Sequence, residues 1–489
     1  MVSGSSQRAL LASRRVVLGG GEVPLEIVAA CLVLDGATIE AVHRIDDDCY
    51  ADSLAELVET TGGSLSDYGD RLISPAFINP HTHLALGFLR GVDLRRACRG
   101  NLVEDLFFKV EGRLSPEDIQ AFARIGAYDS LLCGVGLVWD HYYAGERVAA
   151  ALREVGLAGV VAVTLQDLAG PGKDRWEAAL EATAVIDDDE GLRSQGVYSA
   201  LGPHATDTVS ADLFGRSLAL ARQRELPIHL HVAQSPEEYQ RCWERHGRSP
   251  LGWLDELGVL SEAPATVLVH GIYASRADLA LLTGGPHRLV FCPYSQLVFG
   301  FPAAVGLWSE LGLDWVVATD CASNNDSMNV QKELRFVAGQ RTVGATWSDS
   351  FREFLEQGGP EHAAAAWGVR RALFDAHHQL AEPEALLGRV WAGPGAMHPR
   401  FTAGVLAPGA LANLIVWDLD HPAFWPAVDP LHCLAMSDPL GAMWALYVAG
   451  RPVGEVGDVA GSVLRSAEYQ AAHQEANERI KRILATLGG

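Results

Sequence analysis

Short apolar segments rich in β-branched residues recur along the middle of the chain and alternate with amphipathic segments. Eight of them lie between residues 70 and 400: LISPAFIN (72–79), VGLVWDH (135–141), AGVVAVTL (158–165), GVYSALGP (196–203), LPIHLHV (226–232), ATVLVHG (265–271), RLVFCP (288–293) and LDWVVATD (313–320). Eight apolar strands separated by helices predict an α/β fold, a (β/α)8 TIM-like barrel of parallel strands. An open, doubly wound sheet is the alternative.

The two ends of the chain differ from this middle part. Both contain alternating or β-branched pieces, such as RRVVLGG near the N-terminus and ANLIVWDLD near the C-terminus. We therefore expect residues 1–70 and 400–460 to form one small β-sandwich domain around a barrel at 71–399. Residues 461–489 contain an amphipathic pattern that predicts a C-terminal helix.

Charge and hydropathy limit the classes of function. The chain has 61 acidic and 38 basic residues, a formal charge of −23, which argues against nucleic acid or an anionic membrane as a partner. No apolar run approaches the roughly 18 residues of a membrane-spanning helix. The N-terminal segment also lacks the order of features of a signal peptide. We expect a soluble, cytoplasmic enzyme.

The stretch FINPHTHLAL (77–86) places two histidines, His81 and His83, one residue apart directly after an apolar run. Side chains at positions i and i+2 of a strand point to the same face, so both imidazoles could bind one metal ion. Taken alone, such a motif more often marks two exposed histidines in a turn, here the turn after Pro80.

Other polar residues stand at the ends of the predicted strands. They are His204, His231, His270 and Asp320, at the ends of the fourth, fifth, sixth and eighth strands. Because the C-terminal ends of barrel strands meet at one face, these side chains are expected to converge. His229 shares a strand face with His231 and is a rival ligand, although His231 stands nearer the strand end.

Three imidazoles and one carboxylate form a plausible set of ligands for a single divalent ion. They are His81, His83, His231 and Asp320. A water would complete the coordination and ionise near neutral pH.

These motifs, in this order, resemble the metal-dependent amidohydrolase superfamily, in the branch of cytosine, guanine and S-adenosylhomocysteine deaminases and triazine hydrolases. The resemblance covers almost the whole chain. It rests on FINPHTHLALGFLRG, GPHATDTVS, PIHLHVAQSPEE, VLVHGIY, CPYSQLVFG, VVATDCASNNDSMN and the pattern at Gly404–Val416.

The resemblance implies one divalent ion on His81, His83, His231 and Asp320, with zinc expected and Fe2+, Co2+ or Mn2+ as alternatives. It implies that Asp320 and His270 are catalytic, since the residue matching His270 touches the attacking water or the developing oxyanion. It also implies a homodimer and a flanking β-sandwich built from both termini.

The chain departs from the family pattern at Gln234, three residues after His231, where the family usually has glutamate. That glutamate carries a proton to a ring nitrogen during deamination, which an amide cannot do. We therefore favour hydrolysis of a C–N bond in a cyclic or amidine-like substrate whose attacked carbon is already activated.

Three alternatives stay open. The first is an amidohydrolase that tailors a peptide natural-product precursor, as in bottromycin-type pathways, so that the substrate is a small molecule or a modified peptide. The second is a conventional purine or pyrimidine deaminase. The third is a non-catalytic barrel that serves as a binding protein.

The long segment after the first barrel strand, residues 87–113, is expected to cover the site and to contact substrate. Candidate substrate-binding residues are His204, Gln234, Arg90, Trp139 and His141. The further arginines of that segment, Arg95, Arg96 and Arg99, could meet a carboxylate of the ligand.

Overall fold

A computed structural model describes residues 8–93, 100–300 and 302–487. The strands before the barrel are β1 (Ala9–Gly20), β2 (Val23–Asp35), β3 (Thr38–Arg44), β4 (Ser64–Asp67) and β5 (Leu72–Pro75). They do not contribute to the barrel, which begins two residues after β5.

Eight parallel strands form the central sheet, and each pairs with its neighbours in the sequence. They are β6 (Phe77–Thr82), β7 (Val135–Tyr142), β8 (Ala158–Leu165), β9 (Val197–Pro203), β10 (Ile228–Val232), β11 (Thr266–His270), β12 (His287–Phe291) and β13 (Trp315–Val317). Helices alternate with these strands and cover them, which explains why the strand sequences are apolar throughout. The predicted (β/α)8 barrel is confirmed.

A separate segment bridges the seam between the first and last barrel strands. Ile78 N in β6 donates to Val390 O at 2.8 Å, and Val317 N in β13 donates to Arg389 O at 3.2 Å. The barrel is therefore nearly closed, although β6 and β13 do not form a ladder of their own.

Beyond that segment, β6 and the chain after β13 are joined directly. Asn79 Oδ1 accepts from Thr319 N at 3.1 Å, and Asp320 N donates to His81 O at 3.2 Å. These bonds bring the histidine motif and the expected carboxylate ligand to the same point of the barrel rim.

The predicted first strand, residues 72–79, is divided in the structure. The chain changes partners at Ala76, whose N–H donates to Asn413 O, whereas Phe77 N donates to Gly134 O in the barrel. As a result, His81 lies within β6 and only His83 follows the strand, rather than both histidines as the sequence predicted.

The second sheet combines strands that precede the barrel in the sequence with strands that follow it. Its later strands are β14 (Leu414–Trp417), β15 (Met443–Val448) and β16 (Arg451–Pro452), and the order is β16-β15-β14-β5-β1-β2-β3 with β4 beside β1. The sheet curls, so that Ile39 N donates to Ala410 O at 2.9 Å. Apolar side chains from both groups of strands share one core inside this curl.

The helical segments of the described residues range from 3 to 21 residues in length. They are Asp47–Cys49, Tyr50–Thr61, Leu84–Leu89, Val103–Phe107, Phe108–Glu111, Pro116–Leu132, Gly145–Val155, Trp176–Asp188, Glu190–Arg193, Ala211–Arg224, Pro236–His246, Pro250–Glu256, Val259–Glu262, Arg276–Ala280, Pro293–Phe299, Val305–Glu310, Val330–Val343, Gly344–Trp347, Asp349–Gln357, Pro360–Ala376, His378–Leu380, Pro383–Gly388, Ala392–Gly395, Pro430–Met436, Pro439–Ala442, Val459–Arg465 and Ala467–Leu487. None of those found in the described ranges is long and apolar enough to cross a membrane.

Several barrel helices begin at a serine whose hydroxyl accepts a hydrogen bond from the first helical turn. These N-caps are Ser115, Ser210, Ser235, Ser249 and Ser275. Such caps satisfy backbone donors that a helix start leaves unpaired, so they fix where each helix begins after its strand.

Candidate active site

Four side chains at the C-terminal ends of the barrel strands bring potential ligand atoms together. Asp320 Oδ1 lies 3.7 Å from His81 Nε2 and 3.5 Å from His83 Nε2, and His83 Nε2 lies 3.4 Å from His231 Nε2. Tetrahedral ligand atoms bound to zinc at about 2.0–2.1 Å stand about 3.3 Å apart. These three distances are therefore close to those between ligands of one metal ion, and the ligand atoms of His81, His83 and His231 all lie within 4.8 Å of one another.

Backbone carbonyls fix the proton positions of two of these imidazoles. His83 Nδ1 donates to His141 O at 2.6 Å, and His231 Nδ1 donates to His204 O at 3.0 Å. Because a carbonyl can only accept, each ring carries its proton on Nδ1 and presents the lone pair of Nε2 to the cluster.

His81 is oriented by another histidine. Its Nδ1 lies 2.9 Å from His229 Nε2, while its Nε2 has no hydrogen-bond partner among the described residues and faces Asp320. The ring of His229 packs edge-on against Trp139, with centroids 5.9 Å apart. His229, the rival ligand of the sequence analysis, thus stands behind His81.

Burial keeps the imidazoles neutral, which is the form that binds a metal. It lowers the pKa of His83 and of His231 to about 4. It also lowers the pKa of His81 well below its ordinary value, and the neighbouring imidazoles add to this shift.

A hydrogen-bonded frame holds the Asp320 carboxylate. Ser295 Oγ donates to Oδ2 at 2.6 Å and Cys321 N donates to Oδ1 at 2.7 Å. Asn324 Nδ2 donates to Ser295 Oγ at 2.8 Å and reaches Oδ2 at 3.3 Å. Burial raises the pKa of Asp320, and the Ser295 hydroxyl opposes that shift.

His270 and Asp320 have a left-handed backbone conformation, which is costly for residues other than glycine. The φ angle is 80° at His270 and 62° at Asp320. Each such residue costs about 1–3 kcal/mol and persists only where the surroundings impose it. His270, at the end of β11, is brought within 4.8 Å of ligand atoms of His81 and Asp320.

A cavity opens above the cluster. Its described lining consists of His83, Leu86, Val103, Phe107, Phe108, Glu111, His141, Tyr142, Tyr143, Thr164, His204, His231, Gln234, His270, Asp320 and Cys321. Three residues expected to bind substrate, His141, His204 and Gln234, belong to it.

These features agree with a comparison of sequences. Residues 72–352, more than half of the chain, match the model of the Amidohydrolase family. The chain belongs to the amidohydrolase family. This family is metal-dependent, and the chain is a hydrolase of C–N bonds other than ordinary peptide bonds. It is therefore not the non-catalytic barrel considered above.

Known members of the family resemble this chain along almost their whole length. The 5-methylthioadenosine/S-adenosylhomocysteine deaminase of Natronomonas pharaonis is 29% identical over 461 residues, which cover 92% of this chain and 97% of that protein. Natural-product biosynthesis gains no support from such relatives.

Solved structures show the same fold. An adenosine deaminase from Xanthomonas campestris with bound zinc has a TM-score of 0.74 at 20% identity, covering 98% of each chain. A zinc complex of atrazine chlorohydrolase from Arthrobacter aurescens has a TM-score of 0.73 at 19% identity, covering 96% of this chain and 99% of the other.

Two expected substrate contacts of this amidohydrolase lie elsewhere. The guanidinium of Arg90 is partly exposed and pairs with Asp129 on the helix Pro116–Leu132, outside the cavity lining. Trp139 is fully buried behind His229, as its apolar strand context would favour. Arg95, Arg96 and Arg99 lie outside the described residues.

The segment after β6 covers the cavity, as expected, but through residues that the sequence analysis did not single out. Val103–Phe107 and Phe108–Glu111 bring two phenylalanines and one carboxyl group into the lining, and the Phe108 ring lies 5.4 Å from that of His204. The signal available in the sequence was the pair Phe107-Phe108, followed three residues later by Glu111, within a long segment after a barrel strand.

Proposed function

We propose that this protein is a mononuclear metal-dependent aminohydrolase that removes an amino group from a purine-like ring or a similar cyclic amidine. The observation that carries the proposal is the convergence of His81, His83, His231 and Asp320, in which the donor-atom pairs His81–Asp320, His83–Asp320 and His83–His231 lie 3.4–3.7 Å apart. The family assignment and the deaminase relatives support the reaction class.

The residues present fit a divalent ion of the zinc type. The set offers three neutral imidazole nitrogens and one carboxylate, and the buried Nε2 of His81 has no hydrogen-bond partner among the residues described. An ion bound there would supply Lewis acidity that activates a water for attack. His81, His83, His231 and Asp320 would hold it.

Side chains of the protein transfer the protons, stabilise the developing charge and exclude water. Asp320 accepts the proton of the attacking water and passes it to the leaving nitrogen. His270, neutral because burial lowers its pKa well below the ordinary value, hydrogen-bonds the charge that develops at the attacked group. The aromatic side chains Phe107 and Phe108 exclude water from one side of the cavity.

The test is ammonia release from a panel of amino-substituted rings, together with elemental analysis of the purified protein. The panel contains adenosine, 5-methylthioadenosine, S-adenosylhomocysteine, guanine, cytosine and an amino-triazine. We expect turnover of at least one purine, about one equivalent of metal, and loss of activity on chelation that the same metal restores.

Asp320→Asn should abolish turnover without unfolding the protein, because an amide cannot accept the water's proton. Asp314→Asn is the matched control, since Asp314 precedes the same strand at the opposite end of the barrel and pairs with Arg288 on the surface. A metal-free protein, or an Asp320→Asn variant with full turnover, would contradict the proposal.

A further inference from the structure

We propose that the carboxyl group of Glu111 donates the proton that the ring nitrogen of the substrate receives during hydrolysis. This inference rests on the proposed function but concerns a residue outside the proposed metal site. It assigns a catalytic role to the segment that covers the cavity.

Addition of water to a C=N bond places an electron pair on the nitrogen, and an acid must protonate that nitrogen as the C–O bond forms. Asp320 takes the proton of the attacking water, so it cannot donate one at the same moment. Gln234 lines the cavity at the position where a carboxyl group could have served, but an amide does not transfer a proton.

The other polar groups around the cavity are poor acids at neutral pH. Burial lowers the pKa values of the five lining imidazoles, so these rings have no proton to release as imidazolium. Burial raises the pKa values of Tyr142 and Tyr143 well above the ordinary value. In the described lining, carboxyl groups come from Glu111 and Asp320.

Glu111 is held inside the cavity by the fold. It ends the helix Phe108–Glu111, the residue is only 9% exposed, and the Tyr142 hydroxyl stands beside its carboxyl group. The ring centroid of Tyr142 lies 6.2 Å from that of His83. A ring-sized substrate over the metal cluster would therefore lie between His83 and the covering segment.

The protonation state of Glu111 supports the role. Burial raises the pKa of Glu111 to about 8, and the Tyr142 hydroxyl opposes part of this shift. The carboxyl group is therefore mostly protonated at pH 7, whereas an ordinary glutamate is ionised.

Protons balance over the whole reaction. As hydroxide adds to the carbon, the O–H bond of Glu111 breaks and an N–H bond forms on the ring, while Asp320 holds the proton from water. When the tetrahedral carbon collapses, its hydroxyl proton returns to Glu111, and the proton on Asp320 goes to the amine, which leaves as ammonia.

The kinetic test compares wild type with Glu111→Gln on the best substrate of the panel. We expect kcat to fall by about 10²-fold or more with KM changed less than a few fold. Because the acid must be protonated, wild-type kcat should decline as the pH rises through about 8, and Glu111→Gln should lack that decline. The double variant Glu111→Gln/Gln234→Glu should regain activity at least tenfold over Glu111→Gln.

Glu238→Gln is the matched control, because Glu238 is also a buried carboxyl with a pKa raised by burial to about 7, but it lies outside this cavity. This variant should keep the alkaline decline. A Glu111→Gln variant with wild-type kcat and a raised KM would overturn the inference and leave Glu111 as a binding residue.

A spectroscopic test does not depend on turnover. Infrared difference spectra between wild type and Glu111→Gln should show a protonated carboxyl C=O band at pH 7 that disappears above pH 9. Absence of that band would overturn the inference even if the protein hydrolyses its substrate. Failure of every substrate in the panel, with the band present, would count against the proposed function instead.

Discussion

His229 shows how a buried residue can define a metal site without touching the ion. His81 Nδ1 can donate to His229 Nε2, 2.9 Å away, and this bond leaves His81 Nε2 as the atom that faces Asp320. Groups that orient a ligand in this way commonly contribute 10- to 100-fold to metal affinity.

We expect His229→Leu to weaken metal binding by about 10- to 100-fold, because it removes the acceptor that fixes the His81 tautomer. His229→Gln should weaken it less, since the amide oxygen can still accept a hydrogen bond. Competition of each variant with a chromophoric chelator measures the affinity. Equal losses in both variants would show that only the volume of the histidine matters.

The residues of the metal site could be predicted because each lies at or near a strand end in a barrel. His231 and His270 stand at the ends of apolar runs that mark strands, so both were expected at the C-terminal face of the barrel. Glu111 could not be assigned in this way, because the covering segment has no comparable periodicity. The role of Ser295 likewise depends on a hydrogen bond to a distant carboxylate.

At the scale of elements, Arg241 ties the helical part of the covering segment to the barrel. Arg241, on the helix Pro236–His246, donates from Nη2 to Glu104 Oε2 at 3.0 Å and from Nη1 to Asp207 Oδ2 at 3.0 Å. Glu104 belongs to the segment, and Asp207 follows β9. All three side chains are mostly shielded from solvent, so the network is stronger than a surface pair.

Arg241→Gln should raise KM by about 2- to 10-fold, because a looser cover binds substrate less well; partly buried pairs of this kind contribute about 1 kcal/mol. The wild-type KM should rise with ionic strength, and the variant should lose most of that dependence. Steady-state kinetics between about 20 and about 500 mM salt measure both effects. Over this range the Debye length falls from about 20 Å to about 4 Å, so the ion pairs are increasingly screened.

Arg248→Gln serves as the control for this prediction. Arg248 lies just after the same helix, but it pairs with Glu256 on the surface and not with the covering segment. Its KM and salt dependence should match wild type. Identical behaviour of the two variants would contradict the role given to Arg241.

Element types could be predicted better than their pairing. All eight barrel strands match an apolar run, yet the run at 72–79 contains both the whole of β5 and the start of β6. Nothing in that run marks the change of partner at Ala76, because both sheets bury its side chains. The contact of Arg389–Val390 with the first and last barrel strands could not be predicted either, because these residues contribute two backbone carbonyls and lie in no strand pattern.

At the scale of the molecule, segments before and after the barrel in the sequence pack together and against the barrel. The second sheet joins strands from residues 9–75 and 414–452, while the exact domain boundaries stay a prediction. The helix Ala467–Leu487 packs on the barrel helix Pro116–Leu132, with Tyr469 edge-on to Tyr128 at 5.2 Å. The end of the chain thus stabilises a helix next to the first barrel strands.

Asp118 is the ionic centre of that contact. It is 1% exposed, caps its own helix with Ser115, and accepts from Arg479 Nη1 at 3.0 Å and from Arg482. Burial alone would raise the pKa of Asp118, but the hydrogen bonds from Ser115 and Arg479 outweigh it and lower the pKa below the ordinary value. Its stabilising effect is therefore present above an unfolded pKa of about 4 and is lost as the pH falls through the folded value.

Asp118→Asn should destabilise the docked C-terminal helix by about 1.5–3 kcal/mol, because hydrogen bonds to a charged group become bonds to an amide. Hydrogen exchange of residues 467–483 should accelerate accordingly at pH 7, while the barrel strands keep their protection. In wild type, amide opening in the same helix, corrected for intrinsic exchange, should increase as the pH falls toward 3, and the variant should not show this increase.

The control is Glu117→Gln, which removes a neighbouring charge that pairs with Arg147 instead and should leave the helix Ala467–Leu487 protected. Equal protection of the helix in wild type and Asp118→Asn would mean that its apolar face alone holds it on the barrel.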